Sequence, residues 1–172
     1  MKNISSAFTT TLRSTNPGDL VFIDVRKTRV PAVVLGKDAR GIIVGVLQGV
    51  DGYSSAPFHV ALKENTSCIS YGEGWLFDYD ATNPEFRAGN RSWTGFSGVV
   101  HLMNNDLILS ISPMSDDRSA AIDFNLTKKH IGGGLVDEIA PILAWSAWES
   151  SEHRNMENRH PIAQVIARFP EE

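Results

Sequence analysis

The chain has 172 residues, of which 42% are hydrophobic and 21% are charged, and its 16 Lys and Arg against 20 Asp and Glu give a formal net charge of −4. This size and composition are typical of one globular domain that needs no disulfide or metal to fold, and they exclude a disordered or fibrous chain. Duplex nucleic acid is a poor partner for such a protein, because its binding depends on many phosphate contacts from Lys and Arg.

The single cysteine, Cys68, indicates a reducing compartment, since one cysteine forms no intramolecular disulfide. The first residues lack the apolar core of a signal peptide, and no run of 18 apolar residues occurs. We therefore expect a cytoplasmic protein that is not inserted in a membrane. The sequence predicts no cofactor and no metal site.

Residues 1–17 are rich in Ser, Thr and Asn, which predicts a flexible N-terminal arm with one short strand at residues 7–12. The turn at residues 16–19 then opens a single β-rich domain over residues 18–172. Short β-branched and aromatic runs follow, and polar turns of hairpin length separate them. The predicted strands are residues 20–25, 30–35, 41–47, 58–62, 67–71, 75–79, 99–102, 107–111, 120–126 and 162–169.

One segment has the period of a helix rather than that of a strand. Apolar and small residues recur there at steps of three and four, namely Leu135, Ile139, Ile142, Leu143, Ser146 and Ala147. We predict an apolar helix at about residues 136–152, with Pro141 in its first turn. Trp145 and Trp148 widen its apolar surface, so this helix is the expected contact for a second copy of the chain in a homo-oligomer.

The predicted elements indicate a mainly β (α+β) fold. We expect a curved antiparallel sheet or a partly open small barrel, with one apolar helix near the C-terminus. A parallel, doubly wound sheet is disfavoured, because it needs a crossover helix between successive strands and no helix is predicted before residue 134.

The sequence over residues 17–36 resembles two families. PGDLVF followed by VPAVVLG resembles the first hairpin of MazF-type endoribonuclease toxins, in which basic residues such as Arg26 and Arg29 would contact RNA. The same residues are similar to the strands of NlpC-type cell-wall peptidases. The longer Gly-rich loop of the first family is missing, as are the Cys before Gly18 and the His at Val30 that the second requires. We assign no family on this match.

Two further sets of residues carry types used in catalysis or metal binding. Cys68, His59 and His101, with Asn104 or Asn125, are the types that a thiol hydrolase uses. No flanking signature accompanies Cys68, so a buried structural thiol is favoured. After the predicted helix, Glu152, His153, Glu157 and His160 carry metal-ligating groups. A solvated surface is favoured there, since no HExxH order occurs, and no catalytic residue is assigned.

The long irregular segment at residues 80–98 is the predicted binding region. Aromatic and arginine side chains alternate in it, and the candidate ligand-binding residues are Phe86, Arg87, Arg91, Trp93 and Phe96. Trp75, Phe77 and Tyr79, just before it, share one strand face and are more typical of core. We predict a non-catalytic module that binds a protein or small ligand here. The alternative is a small hydrolase or MazF-like ribonuclease.

Overall fold

A computed structural model describes residues 7–50, 57–79, 97–103, 105–113, 121–132 and 140–167. The strands are β1 (Phe8–Thr11), β2 (Leu20–Val25), β3 (Thr28–Asp38), β4 (Gly41–Val46), β5 (Phe58–Leu62), β6 (Ser67–Gly72), β7 (Leu76–Asp78), β8 (Val100–Met103), β9 (Asp106–Ile111), β10 (Ile122–Asn125), β11 (His130–Ile131), β12 (Ala140–Ile142), β13 (Ala144–Trp148) and β14 (Ala163–Ile166). A 3-10 helix (Leu12–Ser14) follows β1, and α1 (Ser151–Arg154) follows β13. The predicted mainly β class is confirmed.

The strands form three sheets in which the paired named strands are antiparallel. The first sheet has the order β1-β6-β2-β3-β4-β5, the second β11-β10-β9-β8-β12, and the third β14-β13-β7. These sheets are not closed into a barrel. The prediction of antiparallel β-structure is confirmed, and the strands are divided among three sheets.

Chain connectivity requires the first sheet to curl. β5 and β6 are consecutive in sequence, yet β4, β3 and β2 lie between them in the sheet. A flat sheet would hold these two strands about 19 Å apart, at about 4.8 Å for each neighbouring pair. The chain from Leu62 to Ser67 spans at most about 18 Å when fully extended, and it is a turn, in which Thr66 N donates to Lys63 O at 2.9 Å. The sheet must therefore bend so that its ends approach.

The strands of the first sheet contact apolar neighbours on both faces. On the concave face, Val21, Val34 and Val44 pack in one buried cluster with Phe58 and Cys68. The residues that alternate with these along the strands project to the opposite face and pack in the main core, to which all three sheets contribute. Its members include Leu20, Val33, Leu35, Ile43, Leu109, Phe124, Trp145 and Val165. Burial on both faces explains why these strands are nearly continuous apolar runs.

Residues 8–11 belong to the first sheet. β1 pairs with β6 along its whole length. Leu12 is fully buried, and its backbone N–H donates to Thr66 O at 3.0 Å. The Ser- and Thr-rich segment that was predicted as a flexible arm therefore contains an edge strand. Its threonines are well suited to the pleated surface of a sheet.

The predicted apolar helix is wrong over residues 140–148, which form β12 and β13. β13 is paired on both sides, with β7 and with β14. Trp145 and Ala147 are buried while Ser146 and Trp148 are half-buried, which is the period of a strand. The apolar residues that recur at steps of three and four belong to two adjacent strands. The hydrogen bonds that β13 makes with β7 and with β14 outweigh any helical preference of its residues.

The helix that does form in this region is short and polar. α1 has four residues, and Ser150 caps it by accepting the backbone N–H of His153 at 3.1 Å. Within the described ranges, no helix has the length and apolar character that crossing a membrane requires. The surface predicted for a second copy is lost with the apolar helix, because Trp145 is buried inside its own chain.

Candidate functional site

The outer face of the third sheet, turned away from the main core, carries a groove of about 450 Å³. We call it the outer-face groove, and the residues that line it are Asp78, Tyr79, Ala144, Trp145, Ser146, Arg154, Gln164, Val165 and Ile166. β7, β13 and β14 form its base, and Arg154 comes from α1. It lies where β7 leads into the segment that the sequence singled out for binding.

The register of the three strands creates the groove. Ser146 in the middle strand is paired with Asp78 on one side and Gln164 on the other, so the three residues form a row across the sheet. In the next row, Ala144 is paired with Ile166. Directly paired residues project to the same face. The middle strand therefore presents two small side chains between longer ones, and this difference in length makes a trough.

An ion pair forms the wall on the β7 side. Arg154 donates from Nε to Oδ2 of Asp78 at 2.7 Å, and the two side chains are 48% and 27% exposed. A guanidinium has five N–H donors, and this contact uses only the one on Nε. The wall therefore offers charged hydrogen-bonding groups while its two charges neutralise each other.

Two aromatic rings meet where β13 leads into α1. The rings of Trp148 and His153 meet edge to face, with centroids 5.8 Å apart. Nε1 of Trp148 and Nδ1 of His153 are buried, and neither has a hydrogen-bond partner among the described residues. Buried polar atoms without partners are rare in folded proteins, and they are found at sites that hold water or ligand.

A row of aromatic rings leads from the core to the groove. The Phe77 ring centroid lies 5.1 Å from that of Trp145 and 5.8 Å from that of Tyr79. Trp145 is buried, and its indole N–H donates to Gly98 O at 2.8 Å. Trp75 and Phe77 pack against the main core, as predicted. Tyr79 instead reaches the lining of the groove and is 37% exposed.

Exposed apolar side chains gather at the groove. Four large hydrophobic side chains are exposed in the described part of the chain, and two of them, Tyr79 and Ile166, line this one site. Ile166 is 54% exposed although it lies within a strand. Apolar surface beside a concave, partly polar site is typical of a binding surface.

The predicted ligand-binding residues, Phe86, Arg87, Arg91, Trp93 and Phe96, lie outside the described residues. Of the residues that the sequence drew attention to, Tyr79 and Trp145 line the groove. Sequence reasoning missed Asp78, Ser146, Arg154 and Gln164. No local signal marked them, because residues 144–148 read Ala-Trp-Ser-Ala-Trp, in which the two tryptophans are three positions apart, a spacing that suits a helix.

The structure separates the components of the thiol-hydrolase alternative. Cys68 lies on the concave face of the first sheet, where burial, helped by the Asp19 charge, raises the pKa of its thiol. A thiol hydrolase needs the opposite shift. His101 and Asn125 are in the second sheet, His59 is in β5, and Asn104 lies outside the described residues. Cys68 is therefore a structural thiol.

A serine and a carboxylate that the sequence did not pair are in contact in the second sheet. Ser110 is fully buried and donates from Oγ to Oδ1 of Asp123 at 2.5 Å. In a Ser-His-Asp triad the serine donates to the imidazole, which the carboxylate orients. Here the carboxylate accepts the hydrogen bond of the serine hydroxyl directly. This bond satisfies a buried hydroxyl and does not activate a nucleophile.

The arginines of the ribonuclease alternative lie in the hairpin of β2 and β3. Arg26 and Lys27 form its turn with φ of 49° and 70°, so the hairpin has a two-residue loop. Arg29 donates to both carboxylate oxygens of Asp24, at 3.0 and 3.1 Å. This guanidinium lowers the pKa of Asp24. Arg29 is thus already paired with a carboxylate, the group that would compete with an RNA phosphate.

Within the ranges that the structure covers, no three His, Cys, Asp or Glu side chains gather as a metal site requires. The chain matches no family model, none of the curated proteins and none of the solved structures with which it was compared. The inference about function therefore depends on the groove alone.

Proposed function

We propose that this protein is a non-catalytic recognition module, which binds a protein or small ligand at the outer-face groove and the adjoining segment of residues 80–98. The observation that carries the proposal is the clustering of exposed Tyr79 and Ile166 around a groove that also gathers Asp78, Arg154 and Gln164. Apolar contacts supply affinity in such a site, and a few placed polar groups fix the orientation of what is bound.

The polar groups of the groove suit recognition. Arg154 supplies donors, Asp78 supplies acceptors, and the Gln164 amide and Ser146 hydroxyl supply both. These four groups do not form the pair that nucleophilic catalysis requires, an activated nucleophile beside a base. The candidate residues of the hydrolase and ribonuclease alternatives are engaged elsewhere: Cys68 in a core and Arg29 in an ion pair.

The segment of residues 80–98 enters the proposal through its sequence. It follows Tyr79 directly, and it carries Phe86, Arg87, Arg91, Trp93 and Phe96. Aromatic and guanidinium side chains are enriched among residues that dominate binding energies. We propose that these five residues extend the surface that the groove begins.

A fragment screen by NMR tests the proposal. Uniformly ¹⁵N-labelled protein is titrated with soluble carboxylate, amide, phenol and sugar fragments, and we expect shifts at the backbone amides of Asp78, Ser146 and Gln164. Ser146→Trp fills the floor of the groove and should abolish those shifts. Thr9→Trp adds the same ring at an exposed strand position in the first sheet and should leave them.

Arg154→Ala is the second variant, because it removes one wall without adding bulk to a strand. It should weaken binding of the carboxylate fragments more than that of the phenols. Fragments that shift only amides outside the third sheet, or a complete absence of shifts in the wild-type protein, would contradict the proposal.

A further inference from the structure

We propose that an extended peptide segment of a partner protein adds as a new strand along the outer edge of β14 and places side chains against the β14 side of the outer-face groove. This inference rests on the proposed function and names its ligand class. It starts from β14, which is the last strand of its sheet and, among the described strands, pairs with β13 alone.

The hydrogen bonds of β14 show which of its backbone groups face outward. Ala167 N donates to Leu143 O at 2.7 Å, and the register continues from that pair through Val165 with Trp145. In an antiparallel ladder, hydrogen-bonded and non-bonded pairs alternate. Val165 therefore bonds inward, while the N–H and C=O groups of Gln164 and Ile166 point away from β13. In the described part of the chain, no strand pairs with this outer edge.

The same two residues link the edge to the groove. The side chains of Gln164 and Ile166 line it, so a strand bonded to their backbones would place alternate side chains beside them on the outer face. Ile166, 54% exposed, would be covered by an apolar side chain of the peptide.

The sequence of β14 lacks the charged residues and prolines that protect edges from pairing. Its sequence, Ala-Gln-Val-Ile, contains no charged residue and no proline, whereas exposed edges usually carry Lys, Pro or a bulge that discourages a further strand. The opposite edge of the same sheet, β7, ends in Asp78 and its ion pair with Arg154. Strand addition is therefore expected at β14 and not at β7.

The size of the edge favours a peptide over a second copy of the chain. β14 has four residues and a length of about 13 Å, and it offers two residues with outward backbone groups. A stable dimer buries about 800 Å² on each partner, which this strand does not supply. A short peptide needs to bury less area, since the groove beside the edge accepts its side chains.

Capped hexapeptides that alternate Thr with Val or Ile are the probe, measured by fluorescence anisotropy. A strand at an antiparallel edge uses the N–H of every second residue. Methylating the backbone nitrogens of one alternate set should therefore abolish binding, and methylating the other set should leave it. Binding that tolerates both modifications, or no binding by any member of the set at millimolar concentration, overturns strand addition.

Ile166→Pro removes one outward N–H and keeps the bonds of Val165 and Ala167 to β13. Ile166→Thr is the matched control, because it shortens the side chain and keeps the N–H. We expect the proline variant to bind about tenfold more weakly than the threonine variant, the equivalent of roughly one to one and a half kcal/mol for a lost hydrogen bond. Equal binding by the two overturns the inference. Thermal melting checks that both are folded.

Failure of this inference is distinguishable from failure of the proposed function. Fragments that still shift the groove amides while hexapeptides do not bind would leave a recognition site that takes another ligand class. Sedimentation equilibrium identifies the competing occupant: a homodimer that Ile166→Pro dissociates would assign the edge to a second copy and overturn the peptide.

Discussion

Arg154 lies 76 residues after Asp78, and its Nε donates to the Oδ2 of that residue at 2.7 Å. The contact ties α1 to β7, the edge strand of the third sheet. A helix of four residues has no stability of its own in water. The ion pair, the Ser150 cap and the packing of His153 on Trp148 therefore hold α1 in place beside the groove.

A double-mutant cycle measures the strength of this tie. Asp78→Asn, Arg154→Gln and the double variant should give a coupling energy of about 0.3–1 kcal/mol in urea unfolding, decreasing as salt is added. A coupling energy that does not differ from zero at low salt would contradict the role of the Asp78–Arg154 pair.

Gly45 is predicted to be intolerant of a side chain. A Cβ at this position would lie 2.3 Å from Cδ1 of Ile111, which is fully buried and cannot easily move. Gly45→Ala should lower the free energy of unfolding by about 1–3 kcal/mol, the usual cost of overpacking. Ile111→Val removes that Cδ1 and should recover part of the loss in the double variant. Gly74→Ala, where nothing lies within 4 Å, should have little effect.

Trp145 and Trp148 offer a matched comparison of buried indoles. Trp145→Phe removes the donor to Gly98 O and should destabilise the protein by about 1–3 kcal/mol, because a buried carbonyl loses its partner. Trp148→Phe removes an N–H that has no partner among the described residues and should cost less. Chemical denaturation of both variants measures the difference. A larger loss for Trp148→Phe would be inconsistent with the bond to Gly98.

Cys68 is predicted to be unreactive in the folded protein. Burial raises the pKa of its thiol, so alkylation by iodoacetamide at neutral pH should follow the kinetics of unfolding. The folded thiol keeps its proton to a higher pH than the unfolded one, whose pKa is about 8.5. The contribution of this group to stability is therefore complete below that value and is lost as the pH rises above it. Rapid native alkylation at pH 7 would contradict the structural role.

Local patterns predicted the strands of the first sheet and the three central strands of the second, β8, β9 and β10. β2 matches the predicted residues 20–25, and β5 matches residues 58–62. Both are β-branched or apolar runs with turns on either side, and those signals lie within a few residues of each other. The short β11 and β12 were missed, because two or three residues carry no detectable period.

Tyr79 and Trp145 connect the sequence-based expectations to the groove. Its other residues become neighbours through the pairing of β13 with β7 and with β14, from separate parts of the sequence. Nothing in the sequence distinguishes Ser146 from the other serines. Its place in the groove follows from its pairing with Asp78 and Gln164.

The sequence by itself determined a mainly β chain, the position of most strands and the burial of its one cysteine, since alternation and turn residues are local properties. Only the tertiary structure decided that residues 144–148 are a strand and that a groove lies across it. A spacing that suits a helix can equally come from two short strands, and the choice depends on distant strands that supply hydrogen bonds to both edges of β13.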